Sequence, residues 1–359
     1  MSIKKETIFN LLKRYWFFVL LVAMVASLLA IRFVRRPTTE PSQPLPTPQF
    51  GSLPQPQSEL SQPLGKEPIY NILLSENDFA SFPKSLAVYK IKKFSQEEIL
   101  SRLSKMIVDL GFLGTPEEQQ RKEGKYLIWR EGENYLKVSL SSGRFSFVGK
   151  NPLVQNQTLD STKIGNLVAE KLNAWGLITG KLEIEEIKGF VPVGMELNPV
   201  VNLDQATIFN LTFKSSFNDY PLVGIGQARD LLEAKVDNQT NLLNLFFSLH
   251  QTDQKVATQY PLKSYEEVAS EIKEGQAQII ELITEGGDYK TIPFSEEIRE
   301  VKISSISIAY YETTEIQEYY QPIFLLKGDV ILRDSNLYQA ILILPAISSE
   351  YLRPTQEHF

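Results

Sequence analysis

Tyr310, Tyr311, Tyr319 and Tyr320 form a cluster in a chain that holds fifteen tyrosines. Rings at that density suit a contact surface, because a flat aromatic buries much area at little entropic cost, and these four are the candidate partner contacts. Neighbouring residues on a strand face opposite ways, so a half-buried sheet would place one of each pair in the core and the other at the rim. Residues suited to bond-breaking chemistry are sparse. Glu185-Glu186 and Glu296-Glu297 are adjacent pairs whose carboxylates would point to opposite faces of a strand, which reads as solvated surface. Gly224-Ile225-Gly226 has Arg229 where a dinucleotide fingerprint needs its third glycine, and neither a phosphate-binding G-x-x-x-x-G-K nor a G-x-S-x-G nucleophile elbow occurs. With only His250 and His358 and no cysteine, the chain is expected to have no catalytic residues, no metal ligands and no cofactor. The absence of cysteine also rules out disulfides and thiol chemistry. A net charge of -6 without a long basic block argues against nucleic acid as a partner. Asn156, Asn210 and Asn238 each open a glycosylation tripeptide, a short and weak pattern.

The elements that must position these residues begin with Tyr15 to Val34, YWFFVLLVAMVASLLAIRFV. Twenty residues at ~1.5 Å each give roughly 30 Å, the thickness of a bilayer's hydrocarbon core, so the stretch is expected to be a transmembrane helix. Neither end offers a good A-x-A match, which favours an uncleaved anchor over a removed signal peptide. Lys4, Lys5, Lys13 and Arg14 precede it, and residues 1–14 are expected to be cytoplasmic, with the main domain extracytoplasmic at the cell membrane. Ala23, Ala26, Ser27 and Ala30 would share one face of that helix, and small residues let membrane helices approach closely. Residues 35–68 follow as a Pro-rich linker: nine of the chain's twenty prolines fall between 37 and 68. Extended at ~3.1 Å per residue, such a stalk would reach about 100 Å.

Beyond it, the pattern of a capped helix followed by strands predicts an α+β protein of repeated helix-plus-antiparallel-sheet units, at 69–155, 156–255 and 256–359. Ser95 and Glu98 form a capping box ahead of the stripe Ile99, Leu100, Leu103, Met106, Ile107 and Leu110, and Gly111 is the stop. A second helix is expected from near Asp160 or Ser161 to Gly176, and a third opens with the capping box Ser264 and Glu267. Leu232 to Val236 turns through Asp237-Asn238-Gln239-Thr240 into Leu242 to Leu249, which reads as a hairpin. Long aromatic and β-branched strands are expected at 301–311, 319–326 and 338–345.

Tyr260-Pro261 before the third helix, Ala309-Tyr310-Tyr311, Tyr319-Tyr320-Gln321-Pro322 and Pro345-Ala346 resemble the C-terminal part of the YycH/YycI-type regulatory domain. LLEAKVDNQTNLL similarly resembles the hairpin of PepSY-type modules, with Asn241 where glycine is usual. The resemblance covers roughly residues 204–347. It implies a single-span, non-enzymatic regulatory protein whose partner is another envelope protein, a sensor histidine kinase in that family. PepSY-like units imply the alternative of an inhibitor or partner of an extracellular peptidase. A carboxylate-based cell-wall hydrolase is the remaining reading.

Overall fold

The computed structural model describes residues 48–353 except 57–62, 93, 122–123, 151–160, 179–182, 195, 215, 225–231, 249–251, 286–288 and 314–316. The span expected at 15–34, with Ala23, Ala26, Ser27 and Ala30, lies outside these residues. Among the described residues, no helix is long and apolar enough to cross a membrane.

Strands dominate. In chain order they are β1 (Ile69–Ile72), β2 (Ser85–Ile91), β3 (Glu117–Arg121), β4 (Gly124–Glu131), β5 (Asn134–Ser139), β6 (Arg144–Val148), β7 (Ile184–Val193), β8 (Glu196–Val200), β9 (Ile208–Phe213) and β10 (Ser216–Phe217). They continue as β11 (Tyr220–Val223), β12 (Leu232–Asp237), β13 (Leu242–Ser248), β14 (Thr252–Pro261), β15 (Gln278–Ile283), β16 (Tyr289–Lys290), β17 (Ile298–Tyr311), β18 (Tyr319–Leu332) and β19 (Leu337–Pro345). Among the described residues, three helices exceed two turns: α1 (Gln96–Asp109), α2 (Ser161–Ala174) and α3 (Tyr265–Lys273).

The expected α+β arrangement of units, each with its own sheet, is therefore corrected. The described chain is predominantly β and builds two large sheets. A nine-stranded sheet runs β3-β4-β5-β6-β13-β12-β9-β7-β8, and a ten-stranded sheet carries the rest. Residues 69–155, expected as one unit, supply strands to both sheets. The physical reason is edge pairing. A meander β3 to β6 standing alone would leave the N–H and C=O groups of β6 open, and β13 satisfies them antiparallel from Arg144↔Ser248 to Val148↔Asn244. In the other sheet, β2 pairs with β14 and also meets Tyr319 and Tyr320 of β18.

Both long helices lie on one face of the nine-stranded sheet. α1 buries Ile99, Leu103, Met106 and Ile107 against Leu127, Trp129, Leu136 and Phe147, and α2 adds Ile164, Val168, Leu172 and Trp175 to the same core. Ser95 and Glu98 form the capping box, with the Ser95 hydroxyl accepting from the Glu98 N–H at 3.2 Å. Bonding to Lys92 and to the Ser95 backbone lowers the Glu98 carboxyl to about 2. The helix ends meet. Trp175 donates its indole N–H to Asp109 Oδ2 at 2.8 Å, and Lys105 Nζ donates to the Ala174 carbonyl at 2.7 Å.

In the ten-stranded sheet, β17 and β18 are antiparallel over most of their length, and β18 pairs on with β19. β1 and β11 attach in parallel to the two halves of β17. α3 covers one face, with Val268 and Ile272 packed among Phe324, Leu326, Leu342 and Leu344.

The Pro-rich linker is corrected too, since part of it belongs to this fold. Leu53 is fully buried and forms a parallel bridge with Leu352. Leu64 is buried against Ala277, and Gly65 N–H donates to the Gly275 carbonyl at 3.0 Å. Gly275 sits at φ +73°, and a Cβ there would run into the Gly65 backbone, so only glycine fits.

Candidate functional site

Of the four tyrosines, three are core. Tyr310, Tyr311 and Tyr320 are 1%, 0% and 3% exposed, so the expected surface patch does not exist, and Tyr319 alone is partly exposed. Alternation fails as a guide here because both faces of β17 are covered. Tyr311 packs with Ala309, Ile323 and Ile343 on one side, while Tyr310 meets Phe217 and Tyr89 on the other. The Tyr310 hydroxyl donates to the Ala87 carbonyl at 2.7 Å, and burial holds its pKa well above the ordinary value.

A polar centre links the two sheets next to this cluster. Glu312, at the end of β17, is 5% exposed and accepts from Ser248 Oγ at 2.6 Å and from Arg144 Nε at 3.3 Å and Nη2 at 3.2 Å. Arg144 also donates to the Thr313 carbonyl, and Tyr320 donates to Glu312 Oε2 at 3.5 Å. Burial, with the Glu312 charge beside it, raises the Tyr320 pKa. Chemically the group is a brace. The serine hydroxyl faces a carboxylate already engaged by a guanidinium, and the centre is enclosed, so neither an activated nucleophile nor a free acid results. Sequence reading missed Arg144, Ser248 and Glu312, which are separated by 64 and 168 residues. The available signal was a carboxylate directly after the apolar run Ile308 to Tyr311.

Glu185, Glu186, Glu296 and Glu297 are exposed, as solvated carboxylates should be. Asn238 is 1% exposed inside its hairpin turn, which closes that glycosylation tripeptide to modification. His250 and His358 lie outside the described residues, and among those described no group of His, Asp and Glu is arranged to hold a metal. A pocket between α2 and the β12–β13 turn, lined by Leu167, Leu172, Trp175, Val236 and Leu242, has a volume of about 200 Å³. That is smaller than the ~300–1,000 Å³ usual for cofactor sites.

A second feature joins distant parts of the chain. Residues 49–54 lie as a strap, turning at Gln49–Phe50 and bending at Ser52, across β14, β18 and the turn Ser349–Tyr351. Leu53 N–H donates to the Tyr351 carbonyl at 2.8 Å, and Arg353 N–H returns a bond to the Leu53 carbonyl at 2.7 Å. Tyr260 OH donates to the Gly51 carbonyl at 2.9 Å, Gln321 Nε2 to that of Pro54 at 2.8 Å and Arg353 Nε to that of Ser52 at 2.9 Å. Gln49 N–H donates to Thr258 Oγ1 at 3.2 Å. Two side chains fill the groove beneath. Leu53 packs with Val88, Tyr260, Ile347 and Leu352, and the Phe50 ring lies 5.0 Å from that of Tyr319. Burial pushes the Tyr260 hydroxyl up to about 12.

No family model matches the chain, and no curated protein matches it. Among solved structures it is similar to an uncharacterized protein from Eubacterium rectale ATCC 33656, at 10% identity and a TM-score of 0.42, over 76% of this chain and 86% of that one. A likeness of that order defines neither family nor activity.

Proposed function

We propose that the protein is a non-enzymatic regulatory or interaction protein of the cell envelope, held at the cell membrane by its N-terminal apolar segment, with its β domain extracytoplasmic and another envelope protein as partner. A sensor histidine kinase is the partner class favoured by the sequence resemblance. The observation that carries the reading is the docked strap. A long loose stalk would couple a domain poorly to its anchor, whereas here the chain is fixed to the domain from Gln49 onward by six hydrogen bonds. Residues 35–48 are then the length left between apolar segment and strap, at most about 50 Å at ~3.5 Å per residue. A partner that shifts the N-terminal segment would pull on the core rather than on slack.

Crosslinking in native membranes tests this. With wild-type protein, the crosslinked species should contain another envelope protein, and the chain should keep its N-terminus and resist carbonate extraction. Replacing Ala23, Ala26, Ser27 and Ala30 with leucine should remove membrane-level crosslinks while leaving the domain folded. A mature chain that starts after residue 30 and is freely released would overturn the anchor, and a peptidase as the sole crosslinked species would replace the kinase.

A further inference from the structure

The strap is bound as a peptide ligand is bound. Its six hydrogen bonds all use strap backbone groups, and they reach residues 209 to 301 positions away wherever the contact is to a side chain. Only two strap side chains, Phe50 and Leu53, enter the groove. Leu53 makes one isolated bridge to Leu352, and Thr258, Tyr260, Gln321 and Arg353 bond the strap's backbone groups with their side chains, so main-chain bonds supply affinity while two pockets read an aromatic and an aliphatic residue three positions apart. Pro48, Pro54 and Pro56 flank the segment, and proline pre-extends a chain, which lowers the entropy lost on docking. Gly51 supplies the one positive φ, +66°, that turns the backbone between the two anchors.

We propose that this groove, bounded by β14, the start of β18 and the turn Ser349–Tyr351, is a peptide-recognition site occupied by the chain's own strap. Its partner in trans is a Pro-flanked segment of another protein that can take the same turn, carrying an aromatic residue, then a glycine, and an aliphatic residue three positions after the aromatic one. The strap, being covalently attached, competes at an effective concentration of order millimolar, so the groove opens to a partner only when the strap is displaced. A pull on the N-terminal segment is one way to displace it. This inference takes from the proposed function only the kind of protein that supplies the segment; the recognition chemistry stands without any membrane.

A synthetic peptide of residues 46–56 with a photoreactive benzoylphenylalanine in place of Phe50 is the probe, used on the full-length wild-type chain at ~10 mM, above the strap's effective concentration. It should crosslink to Tyr319, the ring beside Phe50. A Phe50→Ala/Leu53→Ala chain should raise the yield at least ~10-fold by removing the internal competitor. The chain has no cysteine, so Leu53→Cys/Leu352→Cys can be oxidised to lock the strap, and the locked chain should lose the crosslink. Absence of a Tyr319 crosslink in the wild-type chain, or equal yield in the locked chain, would overturn the proposal, even if the alanine variant does not fold. Either result leaves the envelope reading intact, because membrane retention and native crosslinks are measured separately.

Discussion

Leu53 shows how one side chain can change the meaning of a segment. It stands among prolines in a stretch with too little apolar content for a core, yet it is fully buried. Leu53→Ala should cost about 2–5 kcal/mol of unfolding free energy, the range for emptying a buried leucine site, and denaturant unfolding would read it. A loss under ~0.5 kcal/mol, typical of surface positions, would mean the strap is not part of the cooperative fold. The buried tyrosines make a second residue-level expectation. An ordinary tyrosine ionises near 10, and burial pushes Tyr260 up to about 12 and Tyr310 and Tyr320 higher than their ordinary value. Their neutral form is favoured in the fold, so this contribution is complete below pH 10 and lost as pH rises from there through the folded values. Titration of tyrosinate absorbance should show a protected class that ionises only as the protein unfolds. Smooth titration of all fifteen tyrosines around 10 would contradict the burial.

At the scale of elements, local signals proved readable where local physics decides. Ser95 with Glu98 and Ser264 with Glu267 form the expected capping boxes, and the hairpin of β12 and β13 turns at Asp237, whose carboxylate accepts from the N–H groups of Gln239 and Asn241. Ser95→Ala should accordingly cost about 1 kcal/mol, measured as a shifted denaturation midpoint. What sequence could not supply was pairing order, because β6 to β13 and β2 to β18 join strands far apart in the chain, and no periodicity encodes which edge meets which. The linker was misjudged for a related reason. Among the described linker residues, 48–56 and 63–68, there is no helix, but a Pro-rich segment can still dock by its backbone. A chain beginning at residue 48 should therefore melt like the full-length protein, and one beginning at residue 57 should melt several degrees lower, since ~1 kcal/mol shifts the melting point of a large domain by about 2–4 °C. Equal melting temperatures would assign the strap no stabilising role.

For the whole molecule, the question is what makes two sheets behave as one body. The four tyrosines drew attention as a surface, yet Tyr310, Tyr311 and Tyr320 are packed within the ten-stranded sheet's own clusters, and it is the Tyr320 hydroxyl that reaches the junction, at Glu312. The polar centre of that junction was not legible, since Arg144, Ser248 and Glu312 are brought together only by the β6–β13 pairing and the long reach of β17. Arg144 and Glu312 have side chains only 10% and 6% exposed, so breaking the pair from one side strands a charge away from water. Arg144→Ala should destabilise by roughly 3–5 kcal/mol, whereas Arg144→Met with Glu312→Leu, which removes both charges and keeps volume, should recover most of the loss. The cost should also appear in cooperativity. In the wild-type chain, intrinsic fluorescence, to which Trp129 and Trp175 of the nine-stranded sheet's core contribute beside Trp16, and tyrosine near-ultraviolet dichroism, to which the Tyr310 and Tyr320 cluster of the ten-stranded sheet contributes, should change together on denaturation. In the Arg144→Ala chain the dichroism transition should move to lower denaturant first, because the buried Glu312 is left without its cation where the sheets meet. Coincident transitions in the single variant, with a loss under ~1 kcal/mol, would show that apolar packing alone joins the sheets and that the ion pair is incidental to their union.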